Sequence, residues 1–247
     1  MKKTVSIILF ALLLSAGPLM AQQQLYFGVG GTGLSSWITN VSNYGLKFNM
    51  DYKNITIGGS GNVNVGFDFN KHIGLKLEVG YAKIGQDLTK DTQVTPDTVY
   101  TRKVQLHYLQ IPLMFKYRTG GEVAKFYLMF GPQFNFLLNA KQTYTKNGAT
   151  FGDKVPGNWS KPTIIGESTI TDRYSSLDVM GRIDLGVDFT LAKHLLINFG
   201  VTMAYGLLDI NGTDWRMNNK DGNYSASHNV YAGVNFGVCY VLPMGSK

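Results

Sequence analysis

Ser225, Ser227 and His228 stand together just before the last apolar run of the chain, and Asp209 and Asp214 precede them in the same connecting stretch. Serine, histidine and carboxylate are the parts of an acyl-transfer site, where a base must be held beside its nucleophile. Nearness along a loop does not supply that orientation, and a solvated Ser/Asn-rich loop has the same composition. The four histidines, His72, His107, His194 and His228, are scattered, and none is paired at metal-ligand spacing. Cys239 is the only cysteine, so one chain can build neither a disulfide framework nor a cysteine-rich metal site. The run Gly28-Val29-Gly30-Gly31-Thr32-Gly33 has the glycine content of a phosphate loop, but no helical pattern follows to set a helix N-terminus against a phosphate. These residues call for no cofactor and no metal, and they identify no catalytic activity.

A different set of polar residues is better organised. Asp68, Lys76, Glu78, Lys116, Arg182, Asp184 and Asp188 each lie in mid-segment, alternating with apolar neighbours. Their chemistry is ion pairing. An unpaired charge in a low-dielectric interior is costly, so Arg182 is expected to pair with Asp184, and with Asp68, Lys76 and Glu78 from neighbouring strands. Tyr144, Trp159 and Trp215 fall in long connections and are the large amphipathic residues suited to contact with a partner. Those of the 139–175 connection could equally fold down over what lies beneath.

The elements that must position these residues are strands. Period-two alternation recurs eight times, near 24–35, 62–69, 73–85, 103–117, 124–138, 177–189, 195–207 and 229–241. Its clearest instance puts Val63, Val65, Phe67 and Phe69 on one face and Asn62, Asn64, Gly66 and Asp68 on the other. The 103–117 strand is irregular: Val104 and Leu106 are even-numbered, whereas Leu109, Ile111, Leu113 and Phe115 are odd. A bulge near Tyr108, or an extension of this strand above a membrane, would produce the switch. Pro112 removes a ladder donor in the middle of the same strand.

Connections alternate strictly in length. Those at 70–72, 118–123 and 191–194 are short; those at 36–57, 86–102, 139–175 and 208–227 are long. That segregation is the habit of an outer-membrane barrel, with short periplasmic turns and longer external loops. Charged residues make up only 16% of the chain, low for a soluble domain, yet after the first residues no apolar run approaches the length of a transmembrane helix. A membrane protein without such helices closes its backbone hydrogen bonds between strands. The mixed-sign charges could sit on a solvated outside or fill a narrow barrel interior. Export and loop segregation favour the interior, with Phe and Tyr facing lipid. The expected fold is all-β: an eight-stranded antiparallel up-and-down transmembrane β-barrel.

The ends and the charge set the context. Lys2 and Lys3, the apolar run Val5 to Leu14 and Leu19-Met20-Ala21 before Gln22 read as a signal peptide over 1–21, leaving one barrel domain over 22–247. The destination is then the outer membrane of a Gram-negative-type cell. The formal charge of +7 is dispersed with no Lys/Arg block, which argues against nucleic-acid binding.

Four segments carry a family resemblance: LQIPLMFKY at 109–117, FYLMFGPQFNFLL at 126–138, MAYGLLDI at 203–210 and VYAGVNFGVCYVL at 230–242. The chain resembles the small PorT-like, porin-family outer-membrane β-barrel domain, most specifically in the strand with Ile-Pro-Leu and the Gly-Pro strand after it. The resemblance implies an outer-membrane barrel and no reaction. Some relatives assist a secretion machine. The tail VLPMGSK lacks the terminal aromatic favoured by barrel assembly, a role left to Tyr240. The expected partners are outer-membrane lipid and an envelope or secretion-machinery protein, with the barrel itself monomeric. The expected role is binding, accessory or structural. A small-solute channel is the alternative, followed by a lipid-active hydrolase.

Overall fold

The computed structural model describes residues 23–39, 51–52, 56–91, 98–121, 123–148, 163–216 and 224–244. The leader expected at 1–21 and Trp159 lie outside the described residues. The strands are β1 (Gln24–Thr39), β2 (Asp51–Tyr52), β3 (Ile57–Asp68), β4 (Ile73–Asp91), β5 (Thr98–Gly120), β6 (Ala124–Gly148), β7 (Thr163–Thr169), β8 (Leu177–Ala192), β9 (Leu195–Gly206) and β10 (His228–Pro243). Eight of them form a closed ring in the order β1-β3-β4-β5-β6-β8-β9-β10, every pair antiparallel. The ring shuts where β10 meets β1, from Gln24 opposite Pro243 to Thr39 opposite His228. β2 and β7 stand outside the ring, paired to β4 and β6.

Closure removes sheet edges, so the backbone is satisfied without solvent. The faces then divide as the alternation requires. Val63, Leu77, Phe130, Val201 and Phe236 point out and are exposed, and Phe199 retains 54% of its surface. In water such a continuous apolar exterior would not survive; against lipid it is the stable arrangement.

Two features depart from the sequence reading. The connection expected at 86–102 is mostly strand, with Asp91 opposite Val99, and β6 continues to Gly148. Outside the bilayer the outward face meets water, so its residues turn polar and the hydropathy alternation fades while the ladder runs on. The parity switch in β5 has a related cause. Residues 102, 104, 106, 108, 110, 112, 114, 116 and 118 all point inward and are buried, with no change of facing. What changes is the interior: Val104 and Leu106 enter an apolar upper core with Leu34, Ile84, Leu88 and Ile210. A bulge is also present at this level, but on β6. His107 pairs with Asn139 and Tyr108 with Leu137, which leaves Leu138 as the extra residue.

Pro112 is accommodated by a gap. The β4–β5 register runs Leu77 opposite Leu113 and resumes at Gly80 opposite Gln110, with no rung between them. At the lower rim, Gly120 has φ +130, which a side chain resists, and its absent Cβ would meet the Ala124 carbonyl at 2.8 Å. That position turns β5 into β6.

Candidate functional site

The inward face of the lower half of the barrel carries two ionic layers. In the layer nearest the short turns, Arg118 Nη2 lies 2.6 Å from Asp68 Oδ2, Lys116 Nζ lies 2.6 Å from Asp188 Oδ2, and Arg118 Nη1 lies 3.5 Å from the same Asp188 oxygen. The rungs explain this grouping. Asp68 faces Gly74, and Gly74 faces Lys116. A Cβ at Gly74 would stand 2.3 Å from Asp68 Oδ1, so the missing side chain gives the carboxylate its space. Lys116 also sits over aromatic rings, 5.1 Å from the Tyr26 centroid and 5.5 Å from that of Tyr127.

One layer up, Arg182 forms a fork on Asp184, with Nε–Oδ1 at 2.9 Å and Nη2–Oδ2 at 2.7 Å, and its Nη1 reaches Glu78 Oε2 at 2.9 Å. Lys76 Nζ holds the other Glu78 oxygen at 2.8 Å, and Thr202 donates to Asp184. The two layers together contain four acids (Asp68, Glu78, Asp184, Asp188) and four bases (Lys76, Lys116, Arg118, Arg182), all buried, so their charges cancel. Neutrality is the arrangement that a low-dielectric interior favours.

Above the ions lies a layer of amides and hydroxyls around the buried Asp178 carboxyl. Tyr231 donates to Gln133 Oε1 at 2.7 Å, Gln133 Nε2 donates to Asn135 Oδ1 at 2.9 Å, and Asn229 donates to Asp178 Oδ2 at 2.9 Å and to the Tyr108 hydroxyl at 3.1 Å. The apolar upper core follows, roofed by Ile170, Tyr174 and Ile210 from the segments beyond the strands. The Tyr174–Asn211 bridge ties those segments together, and Asp209 accepts from the Ser227 amide at 3.0 Å. Burial pushes the Tyr174 phenol up to about 12, although nearby Arg102 and Arg173 oppose the shift, so it stays neutral. The cavity beside Lys76, Glu78, Arg182 and Asp184 has room for about one water molecule.

The structure thus brings together all seven charges singled out in the sequence, in two clusters. Asp68 does not join Arg182, Lys76 or Glu78; it pairs with Arg118, which the sequence reading places in the 118–123 turn. Continuing the even-numbered stripe from Met114 through Lys116 would have found it. Alternation puts Asp178, Gln133, Asn135 and Asn229 on the polar faces of their strands, but their convergence in one layer was not read, because the pattern within a strand does not give its stagger against the others. Tyr144 and Trp215 each lie against an arginine of their own chain, with Arg102 6.0 Å from the Tyr144 centroid and Arg173 4.4 Å from that of Trp215.

In the Ser/His group, His228 Nδ1 hydrogen-bonds the Leu208 carbonyl at 3.0 Å and its ring stacks on Tyr205, while Ser227 accepts from Asn211 Nδ2 at 3.1 Å. All four histidines lie beside tyrosines: His72 on Tyr117 and His194 on Tyr240 at the short-turn end, His107 on Tyr81 and His228 on Tyr205 at the other. Amphipathic rings at two levels are what the two faces of a bilayer select. Among the described residues, no group of three or more His, Cys, Asp or Glu could hold a metal.

Residues 18–212 match the family model described as outer membrane protein beta-barrel domain. No curated protein matches. Among solved structures, the chain is similar to a major outer membrane protein from Thermus thermophilus, at 13% identity and TM-score 0.42 over 89% of this chain and 99% of that one. It is similar to Ail, the attachment invasion locus protein of Yersinia pestis, at 10% identity and TM-score 0.42 over 90% and 99%. The N-terminal β-barrel domain of Pseudomonas aeruginosa OprF gives 10% identity and TM-score 0.40 over 89% and 97%.

Proposed function

The chain belongs to the outer membrane protein β-barrel domain family, and from that premise we propose that it is a closed, non-conducting barrel of the outer membrane that works as a binding or accessory protein through what it presents outside the bilayer. The observation that supports this reading is the filled interior: among the described residues, two neutral ionic layers, a polar layer around Asp178 and an apolar upper core succeed one another along the lumen. An eight-stranded ring has room for side chains and little else.

The same reading assigns the orientation. The start of β1, the end of β10 and the three short turns share one rim, which is periplasmic, and the long strands of the β4–β5–β6–β7 sheet project outside. Residues 1–21 serve as the leader and are removed before Gln22. Within the family we assign the chain to the PorT-like small barrels on the strength of LQIPLMFKY and the Gly-Pro strand after it, and the partner is an envelope or secretion-machinery protein bound to a monomeric barrel. Extraction in a mild detergent followed by affinity capture tests the reading. A stoichiometric envelope partner, lost when the tip of the β4–β5 hairpin is shortened, supports it. A lone barrel from every extraction contradicts it.

A further inference from the structure

Lys83, His107 and Lys141 stand side by side on the outward face of β4, β5 and β6. Their chain neighbours Ala82, Ile84, Leu106, Tyr108, Ala140 and Gln142 are buried, which fixes the outward facing of all three. Lys83 is directly opposite His107. His107 is opposite Asn139, two residues from Lys141.

The cluster is unbalanced. Among the described residues neither lysine joins an ion pair. Asp87 is paired with Lys103 at 3.8 Å, and Glu167 is opposite Thr143. Like charges close together on one face of a sheet repel, so the two lysines here need an anion to offset them. His107 Nδ1 is bonded to the Tyr81 hydroxyl and its Nε2 is enclosed, so the ring stands between the two lysines as a spacer and not as a ligand. Height on the barrel says what the anion is. Tyr81 is 49% exposed, and below the cluster the exposed Phe136 and Leu138 face lipid. The cations therefore sit at the level of the lipid headgroups.

We propose that Lys83 and Lys141, on either side of His107, form a binding site for the phosphate of an anionic outer-leaflet lipid, with the two lysines as point charges. The word outer rests on the orientation proposed above; binding itself does not. Native mass spectrometry of the purified barrel in micelles doped with bisphosphorylated lipid A, or with the same lipid dephosphorylated, tests the site. The expected result is retention of the phosphorylated lipid alone. It should weaken about thirtyfold in a K83Q/K141Q variant, from about 1 kcal/mol per lysine near an anionic surface, and stay unchanged in K71Q/K193Q at the opposite rim. Equal retention of the dephosphorylated lipid, equal retention by K83Q/K141Q, or displacement by inorganic phosphate at the lipid's own concentration would each overturn the proposal. Micelles have no sidedness, so an error in orientation leaves this result intact.

Discussion

Arg182 is the residue on which the middle layer of the lumen converges, with a fork on Asp184 and a third bond to Glu78. Removing it leaves two buried carboxylates with only Lys76 and Thr202 to hold them. Breaking one partner out of a buried pair costs about 3–5 kcal/mol. Arg182→Leu should therefore lower the temperature at which the folded band is lost on a heat-modifiability gel, and Arg182→Lys should fall between, since an ammonium cannot reproduce the fork. An unchanged midpoint for Arg182→Leu would mean that the side chain is solvated. Seven charges of this network were legible in sequence because each interrupts an apolar alternation. Their grouping was not. Asp68 pairs with Arg118, from β5, because the two share a level set by strand stagger, and stagger is not written in any one strand.

The elements were legible where lipid touches them and obscure elsewhere. In β3 the outward Val63, Val65 and Phe67 announce a strand, whereas the ends of β4, β5 and β6 lose the signal once their outward faces meet water. The Val104–Leu106 parity switch pointed to a real change, but of what the lumen contains, not of which way β5 faces. Packing across β8 and β9 supplies a test at this scale. Gly186 is opposite Gly200, and a Cβ on either would stand 2.5 Å from the Tyr127 hydroxyl and as close or closer to a backbone carbonyl. Gly200→Val should force Tyr127 out of its place against Asn235 and lower the heat stability of the folded band; a variant as stable as the parent would show that the ring has another place to go. Orientation is tested on the same elements. In a Cys239→Ala background, Glu167→Cys in β7 should react with an impermeant thiol reagent on intact cells and Lys193→Cys in the β8–β9 turn should not. The reverse pattern would invert the barrel and remove the external sheet as a contact surface.

At the scale of the whole molecule, eight strands, closure and the sense of the two faces followed from alternation, loop segregation and low charge, because a bilayer imposes those constraints on any chain that crosses it with strands. The content of the lumen followed only in part: its ions were visible, its apolar roof of Ile170, Tyr174 and Ile210 was not, since those residues read as parts of long loops. The roof and the ionic layers act in series. Water entering from the short-turn rim meets the Asp68–Arg118 and Lys116–Asp188 pairs, and from the other rim it meets buried aliphatic side chains. Conductance of the purified full-length monomer in a planar lipid bilayer tests the proposed plug most directly. A plugged barrel should insert without a stable open level; a large, long-lived unitary conductance from the monomer would contradict the plug.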